Sequence, residues 1–325
     1  MAIENSTTKR SFLEFLPVSL FGGVMGLTGL CFSWRLAYKL WQVPPQIGEG
    51  IGVIAILSFL LLTITYIFKL LRFGNIVRTE FDHPVSVSFF ATFIISLLLL
   101  PGIIKPYYPF FAFAIWLLGA ILMFFFALHV IRKWLDNQQQ PENAMPAWIL
   151  PVVGTLDVPI VGSSFDFHGA REICFIFFAI GIIFTIILLP VIFSRLTFQA
   201  QLPVALQPTM LILTGPFALA FSAYSNLHGS QDLVSTIFFY FNIFLLFILG
   251  SKIAHIPKAC PFRATWWSVS FPLVAITISV FRYHDHRPDI PHTVFAALML
   301  VGSTIVIGYL LCQTLYRIVT DSFDS

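Results

Sequence analysis

The stretch WWSVSFPLVA (residues 266–275) opens a long apolar run and places Pro272 about one turn inside it. A proline within a helix has no N–H to donate and its ring collides with the carbonyl four residues earlier, so it bends the helix at a cost of about 3 kcal/mol. Ser268, Ser270 and Phe271 stand directly before this bend. Freed backbone groups at membrane depth are tolerated where they line a cavity or are buried in protein. The stretch therefore predicts a bent helix beside a cavity.

The composition assigns the chain to the membrane proteins. Its 325 residues are 58% hydrophobic and only 10% charged, whereas soluble domains carry about 25% charged residues. The formal net charge of +3 is small and scattered, without a basic block between aromatic residues. We therefore expect no nucleic-acid partner. The four cysteines form no CxxC pair, which is typical of reduced packing residues.

Ten apolar runs are long enough to cross a bilayer, which takes about 20 residues in a helix. Their continuous apolar character, without alternation, is unlike a membrane β-barrel. We predict an all-α protein whose residues 1–325 form a single transmembrane channel domain, with short tails at about 1–14 and 320–325. The ten predicted spans are 17–41, 48–72, 86–104, 109–134, 148–165, 169–196, 206–227, 231–254, 266–283 and 292–319.

Basic residues are distributed unequally between the two ends of these spans. With both termini on one side of the membrane, that side carries about two-thirds of the 18 Lys and Arg residues. Cytoplasmic loops carry the excess of Lys and Arg. The sequence thus predicts a multi-pass protein with both termini in the cytoplasm.

The odd-numbered runs differ from the even-numbered ones. Odd runs contain Ser, Thr and Asp and are interrupted by Pro and Gly, as in LLPG (99–102), whereas even runs are uniformly apolar and rich in Phe, as in FFYFNIFLLFILG (238–250). Uniformly apolar helices face lipid or other helices. We predict five tandem helical hairpins, with an inner ring of five kinked helices around a pore and an outer ring of five. The alternative is an ordinary bundle whose prolines are incidental.

The predicted pore has candidate lining residues and a candidate gate. An aromatic ring at a kink can project into a narrow pore and close it sterically and by dewetting, which singles out Phe271. Ser268 and Ser270 are expected to offer hydroxyl donors to the pore. The bends that expose backbone groups to the pore are assigned to Pro101, Pro151, Pro159, Pro216 and Pro272.

Two charged residues of the predicted inner helices are candidates for a function. Asp157 falls well inside the fifth run, two residues before Pro159. A carboxylate at membrane depth is expensive and usually marks function, so Asp157 is a candidate pore or proton site. The alternative is a capping role for the helix segment that restarts at Pro159. Arg35, near the end of the first run, either draws anions into a vestibule or snorkels to the headgroups.

The segment YHDHRPDIPH (283–292) brings together His284, His286 and His292 with two aspartates. These side chains are all able to bind metals, but their spacing matches no ligand pattern. The chain also has no HExxH, glycine-rich phosphate loop or catalytic triad motif. We therefore expect no bound metal, no cofactor and no enzymatic activity.

The chain resembles the tellurite-resistance/dicarboxylate transporter family, which includes TehA-type bacterial proteins and the plant slow-type anion channels. The resemblance runs from about residue 15 to 320. It implies a homotrimer with a pore in each protomer, five inner helices kinked at mid-membrane and a gating Phe on the ninth helix, where Phe271 is the matching residue. The matching stretches are FGGVMGLTGLCFSWR, WQVPPQIGEG, EFDHPVSVSF, MPAWILPVVG, QLPVALQPTM, GPFALAFSAY and WWSVSFPLVA.

The resemblance leaves two functions open. The first is an anion channel that conducts small anions such as chloride and nitrate, in which Asp157 would place a negative charge in an anion pore. The alternative is a proton-coupled transporter of dicarboxylates or of an oxyanion such as tellurite, with Asp157 as the proton site. The short tails favour a bacterial protein, so we expect the bacterial inner membrane as its location.

Overall fold

The computed structural model describes Glu14, residues 16–253 and residues 260–320. The predicted cytoplasmic tails lie almost wholly outside the described residues. Within the described ranges the structure is helical and contains no β-strand, and nine of its helices are long and apolar enough to cross a membrane. The prediction of an all-α membrane protein is thereby confirmed. The nine are α1 Val18–Trp41, α2 Pro45–Arg72, α3 Ser86–Ile104, α4 Pro109–Asp136, α6 Ala170–Phe198, α7 Val204–His228, α8 Leu233–Ile253, α9 Ala264–His286 and α10 Ile290–Val319.

The fifth predicted span is a shorter apolar helix, α5, at Pro146–Gly162. It alternates between 3-10 and α-helical segments, with 3-10 turns at Pro146–Ile149 and Gly154–Leu156. Because 3-10 turns rise about 2.0 Å per residue and α-helix about 1.5 Å, α5 extends over about 29 Å. That length is close to the roughly 30 Å of a hydrocarbon core, although α5 has fewer residues than the other spans.

Burial divides the long spans into the two kinds that the sequence predicts. In α1, α3, α7 and α9, between 67% and 78% of the most apolar stretch is buried, against 11% to 39% in α2, α4, α6, α8 and α10. The contacts between helices close a cycle, because α1 touches α3, α3 touches α5, α5 touches α7, α7 touches α9 and α9 touches α1. Each of these inner helices also packs against the outer helix that follows it.

All five inner helices begin in a 3-10 conformation before they become α-helical. The five predicted kink prolines lie in the first turn of the α-helical segments of α3, α5, α7 and α9. Proline fits there because the N–H groups of a first turn have no partner within that segment. The prolines therefore mark the points where the inner helices change from one helical form to another or restart.

Helices α1 and α9 approach each other closely within the cycle. A Cβ atom added at Gly26 would lie 2.4 Å from Oγ of Ser270, and one added at Gly29 would lie 2.2 Å from a methyl group of Val274. Oγ of Ser270 also donates a hydrogen bond to the carbonyl of Gly22 at 3.1 Å. Small residues permit such close approaches between membrane helices, so the glycine repeat of α1 holds α9 in place.

Gly26→Ala is expected to destabilise the protein. Its methyl group would displace Ser270, and overpacking of this kind costs about 1–3 kcal/mol. The matched control is Gly50→Ala in α2, where a Cβ atom has open space. We expect the melting temperature of the purified protein to fall for Gly26→Ala and to stay level or rise for Gly50→Ala. Equal melting temperatures for the two variants would contradict the close contact between α1 and α9.

Candidate functional site

Two cavities lie between the inner helices, one beyond the other. The amino-terminal cavity, of about 40 Å³, is formed by the first halves of all five inner helices. The carboxy-terminal cavity, of about 340 Å³, lies among their second halves. Phe271 and Leu219 line both cavities, and their exposed fractions are only 8% and 6%. The ring of Phe271 and the side chain of Leu219 therefore form the partition between the two spaces.

The amino-terminal cavity has mainly apolar walls, and the protons of three hydroxyls in them are already donated to the backbone. Thr92 donates to the carbonyl of Phe89 at 2.6 Å, Thr265 to that of Ala205 at 2.6 Å, and Ser268 to that of Thr265 at 2.6 Å. A hydroxyl has a single hydrogen to donate. These side chains consequently present oxygen lone pairs to the cavity, which differs from the expected hydroxyl donors.

The predicted lining residues divide into those that line a cavity and those that do not. Ser268, Pro216 and Pro272 line the amino-terminal cavity. Ser270 does not line either cavity, because its hydroxyl is buried against α1 and donates to the carbonyls of Gly22 and Trp267. Its predicted lining role is wrong. The remaining three predicted lining prolines do not line either cavity: Pro101, Pro151 and Pro159.

Asp157 lines the amino-terminal cavity and is completely buried. Neither of its carboxyl oxygens meets a hydrogen-bond donor among the described residues. The alternative capping role is wrong, since Leu156 occupies the N-cap position of the segment Asp157–Gly162 and no side chain caps it. A buried polar group without a partner costs free energy. Asp157 is thus a polar group that the packing of the protein does not require.

The carboxy-terminal cavity is lined by three basic side chains, Arg35, Lys105 and Arg282. The guanidinium of Arg35 does not snorkel towards solvent. It makes two hydrogen bonds of 2.8 Å to the carboxylate of Glu49 and one of 2.9 Å to the carbonyl of Gly102. Its charge is therefore balanced by Glu49. The hydroxyl of Tyr107 also donates to Glu49, at 3.1 Å, and this bond raises the pKa of Tyr107.

The other two cations of this cavity are paired with neutral groups. Arg282 donates to Oδ1 of Asn226 at 2.5 Å and to the carbonyl of Ser222 at 3.3 Å. Lys105 donates to the carbonyl of Ser164. Neither has a carboxylate partner among the described residues. The cavity consequently carries a surplus of positive charge. The sequence pattern did not predict this surplus, although Lys105 and Arg282 lie at the ends of apolar runs of the predicted inner ring.

The histidine-rich segment forms local contacts. Asp289 caps α10 by accepting the N–H of His292 at 2.8 Å, and this bond lowers the pKa of Asp289. Nδ1 of His292 lies 2.6 Å from the same carboxylate, and Asp285 pairs with Lys39 at 3.0 Å. Among the described residues, no three His, Cys, Asp or Glu side chains are grouped so as to hold a metal.

Comparison with known proteins identifies the family of this chain. The family model SLAC1, described as a voltage-dependent anion channel, matches residues 16–315. The chain is 27% identical to the S-type anion channel SLAH2 of Arabidopsis thaliana over 91% of its length and 58% of that protein. It is 25% identical to the guard cell S-type anion channel SLAC1 of the same plant, over 94% and 56%. It therefore spans little more than half the length of these plant relatives.

A bacterial relative has a similar length. The tellurite resistance protein TehA homolog of Haemophilus influenzae is 26% identical over 95% of this chain and 92% of its own length. The family that the sequence motifs indicated is thereby confirmed.

Proposed function

Since the chain belongs to the SLAC1 family of voltage-dependent anion channels, we propose that it conducts small anions such as chloride and nitrate through the five inner helices. The observation that carries the proposal is the placement of Phe271 between two cavities that follow one another along these helices. The proposed location is the bacterial inner membrane, with both termini in the cytoplasm, and the proposed assembly is a homotrimer with one pore in each protomer.

Conduction begins at the carboxy-terminal cavity in this proposal. The unbalanced charges of Lys105 and Arg282 raise the local concentration of anions, as clefts lined by one sign of charge do. Beyond them, the anion meets the amino-terminal cavity, where Thr92, Thr265 and Ser268 have already donated their hydroxyl protons to carbonyls. The walls of this cavity offer few hydrogen bonds to replace the water shell of an anion. A weakly hydrated anion therefore passes more easily than a strongly hydrated one. Weak binding of this kind also permits rapid release.

Phe271 closes the path in this proposal. Its ring and Leu219 fill the section where the two cavities meet, and an apolar constriction also excludes water. Phe271 is the second residue of the α-helical segment Ser270–His286, directly after the 3-10 segment Ala264–Val269. A change in the length of the 3-10 segment rotates the residues at this junction, which gives the ring a way to leave the path.

Phe271→Ala is expected to open the path. Removal of the ring joins the two cavities, and we expect the anion conductance of planar bilayers or oocytes to rise by about tenfold or more. The matched control is Phe247→Ala, which alters a lipid-facing ring of α8 that is 67% exposed. Unchanged conductance in a Phe271→Ala protein with an intact melting transition would contradict the proposed gate.

Arg282→Gln in the Phe271→Ala background tests the positive cavity. We expect conductance to fall several-fold at about 0.01 M salt and the difference to shrink at about 0.1 M, because the Debye length decreases from about 30 Å to about 10 Å. Arg282→Lys keeps the charge and is the control. Equal losses in both variants would show that hydrogen bonds to Asn226 and Ser222 matter, and that the charge does not.

A second candidate function rests on Asp157. A neutral carboxyl is far cheaper to bury than a carboxylate, so a group without fixed partners is suited to take up and release a proton as the cavity fills with water. The protein would then be a proton-coupled transporter of dicarboxylates or of an oxyanion such as tellurite. Such a carrier works by alternating access to its site, without a continuous open path.

Asp157→Asn distinguishes the carrier from the channel. In proteoliposomes with an internal pH dye, a carrier moves protons in step with a dicarboxylate such as succinate, and we expect Asp157→Asn to abolish that proton movement. Asp166→Asn, which changes an exposed aspartate outside the cavities, is the matched control. Currents that reverse at the Nernst potential of the anion, without proton movement in the native protein, would exclude the carrier.

A further inference from the structure

A third cavity, of about 720 Å³, lies outside the cycle of inner helices. It is formed by α6, the 3-10 segment of α7 and the end of α8, at the end of the molecule where the inner helices begin. Its walls include Phe193 of α6 and Ile248 of α8, each 40% exposed on the outer face. The cavity therefore lies next to the surface that the outer helices present to lipid.

Arg195 is the notable polar residue of this cavity, because it is only 5% exposed and two of its nitrogen atoms lack a partner among the described residues. Its Nε and Nη1 atoms have no hydrogen-bond acceptor among the described residues, and it forms no ion pair there. A guanidinium is always charged and carries five N–H donors. Burying such donors without acceptors is costly, so the cavity supplies a place for an acceptor.

Two simpler roles do not account for Arg195. A snorkelling side chain keeps its head in water, whereas this head is buried. Arg195 also lies in the last turn of α6, where a positive charge is favoured by the helix dipole. The helix dipole, however, supplies no hydrogen-bond acceptor to Nε or Nη1, which have none among the described residues.

The remaining polar lining is suited to an anion. Lys252 adds a second, exposed positive charge, and Gln201 and Gln207 add amide groups. No Asp or Glu stands among the described residues that line the cavity. A guanidinium matches the oxygens of a phosphate with two parallel hydrogen bonds, and lysine acts as a point charge beside it.

We propose that this cavity binds a phosphate group, carried either by an anionic lipid or by free phosphate, with Arg195 as its principal ligand and Lys252 as the second. The lipid source fits the exposed apolar residues Phe193 and Ile248 at its wall. The 3-10 segment Val204–Thr214 contributes Met210 to this cavity and Ile212 to the amino-terminal cavity. A bound phosphate thus contacts the back of a segment that forms the proposed pore.

Native mass spectrometry of the full-length protein in detergent tests the proposal. We expect dioleoyl phosphatidic acid to bind more tightly than dioleoyl phosphatidylcholine, whose headgroup carries a compensating cation. Loss of a charged hydrogen-bond donor in Arg195→Gln is expected to weaken phosphatidic acid binding by about tenfold or more. Arg195→Lys is expected to restore part of the affinity.

If Arg195→Gln does not fold, Lys252→Gln replaces it as the test, because Lys252 is exposed and its substitution leaves the fold intact. We expect Lys252→Gln to weaken phosphatidic acid binding by a few-fold. The control is Arg78→Gln, which removes one positive charge from a side chain that is 86% exposed and remote in the chain from the cavity. This control should bind phosphatidic acid as the native protein does.

Inorganic phosphate forms the second arm of the experiment. If millimolar phosphate competes with phosphatidic acid in the native protein, the site takes free phosphate as well as the lipid headgroup. If phosphatidic acid binds and phosphate does not compete, the lipid is the source. The proposal is overturned if the native protein binds neither ligand, or if Arg195→Gln, Lys252→Gln and the native protein bind phosphatidic acid equally.

Discussion

The close contact between α1 and α9 is the interaction on which the rest of the architecture depends. These are the first and the last inner helices in the chain, so their contact is the one that closes the cycle. Gly26 and Gly29 allow α9 to approach until Ser270 and Val274 occupy the space of a side chain. Phe271 stands between these two residues in the sequence and is directed by them. The glycines of one helix therefore position the aromatic ring of another.

The membrane explains why much of this fold could be predicted from the sequence. Lipid offers no hydrogen-bond partners, so every span must be helical, and a run of about 20 apolar residues locates it. The contrast between kinked and uniformly apolar runs predicted which helices would be buried, because polar side chains and freed backbone groups at membrane depth are tolerated only within the protein. Even α5 was located, although its 3-10 segments and short length could not be read from hydrophobicity.

The details of the candidate site depend on contacts that a sequence does not reveal. The sequence gives Ser268 and Ser270 the same predicted role, but residues two positions apart in a helix face different sides of it. Ser268 therefore lines a cavity, whereas Ser270 packs against α1. Arg35 offered two roles, and the choice depended on Glu49 across the α1–α2 turn. Arg195 carried no signal in the sequence, because what distinguishes it is that two of its nitrogen atoms have no acceptor among the described residues. Pairing is a property of the neighbours, which only the fold brings together.

In the proposed channel, the arrangement of charge along the inner helices accounts for how an uncharged constriction can serve anions. A fixed cation at the narrowest section would bind an anion strongly and hold it, whereas conduction needs sites that an ion leaves easily. In this protein the unbalanced cations, Lys105 and Arg282, stand in the wider cavity, where water moderates their attraction. The apolar side chains of Phe271 and Leu219 line both cavities where these meet. The proposed channel thus attracts anions in one place and lets them pass in another, and in this proposal discrimination between anions depends on the energy of removing their water.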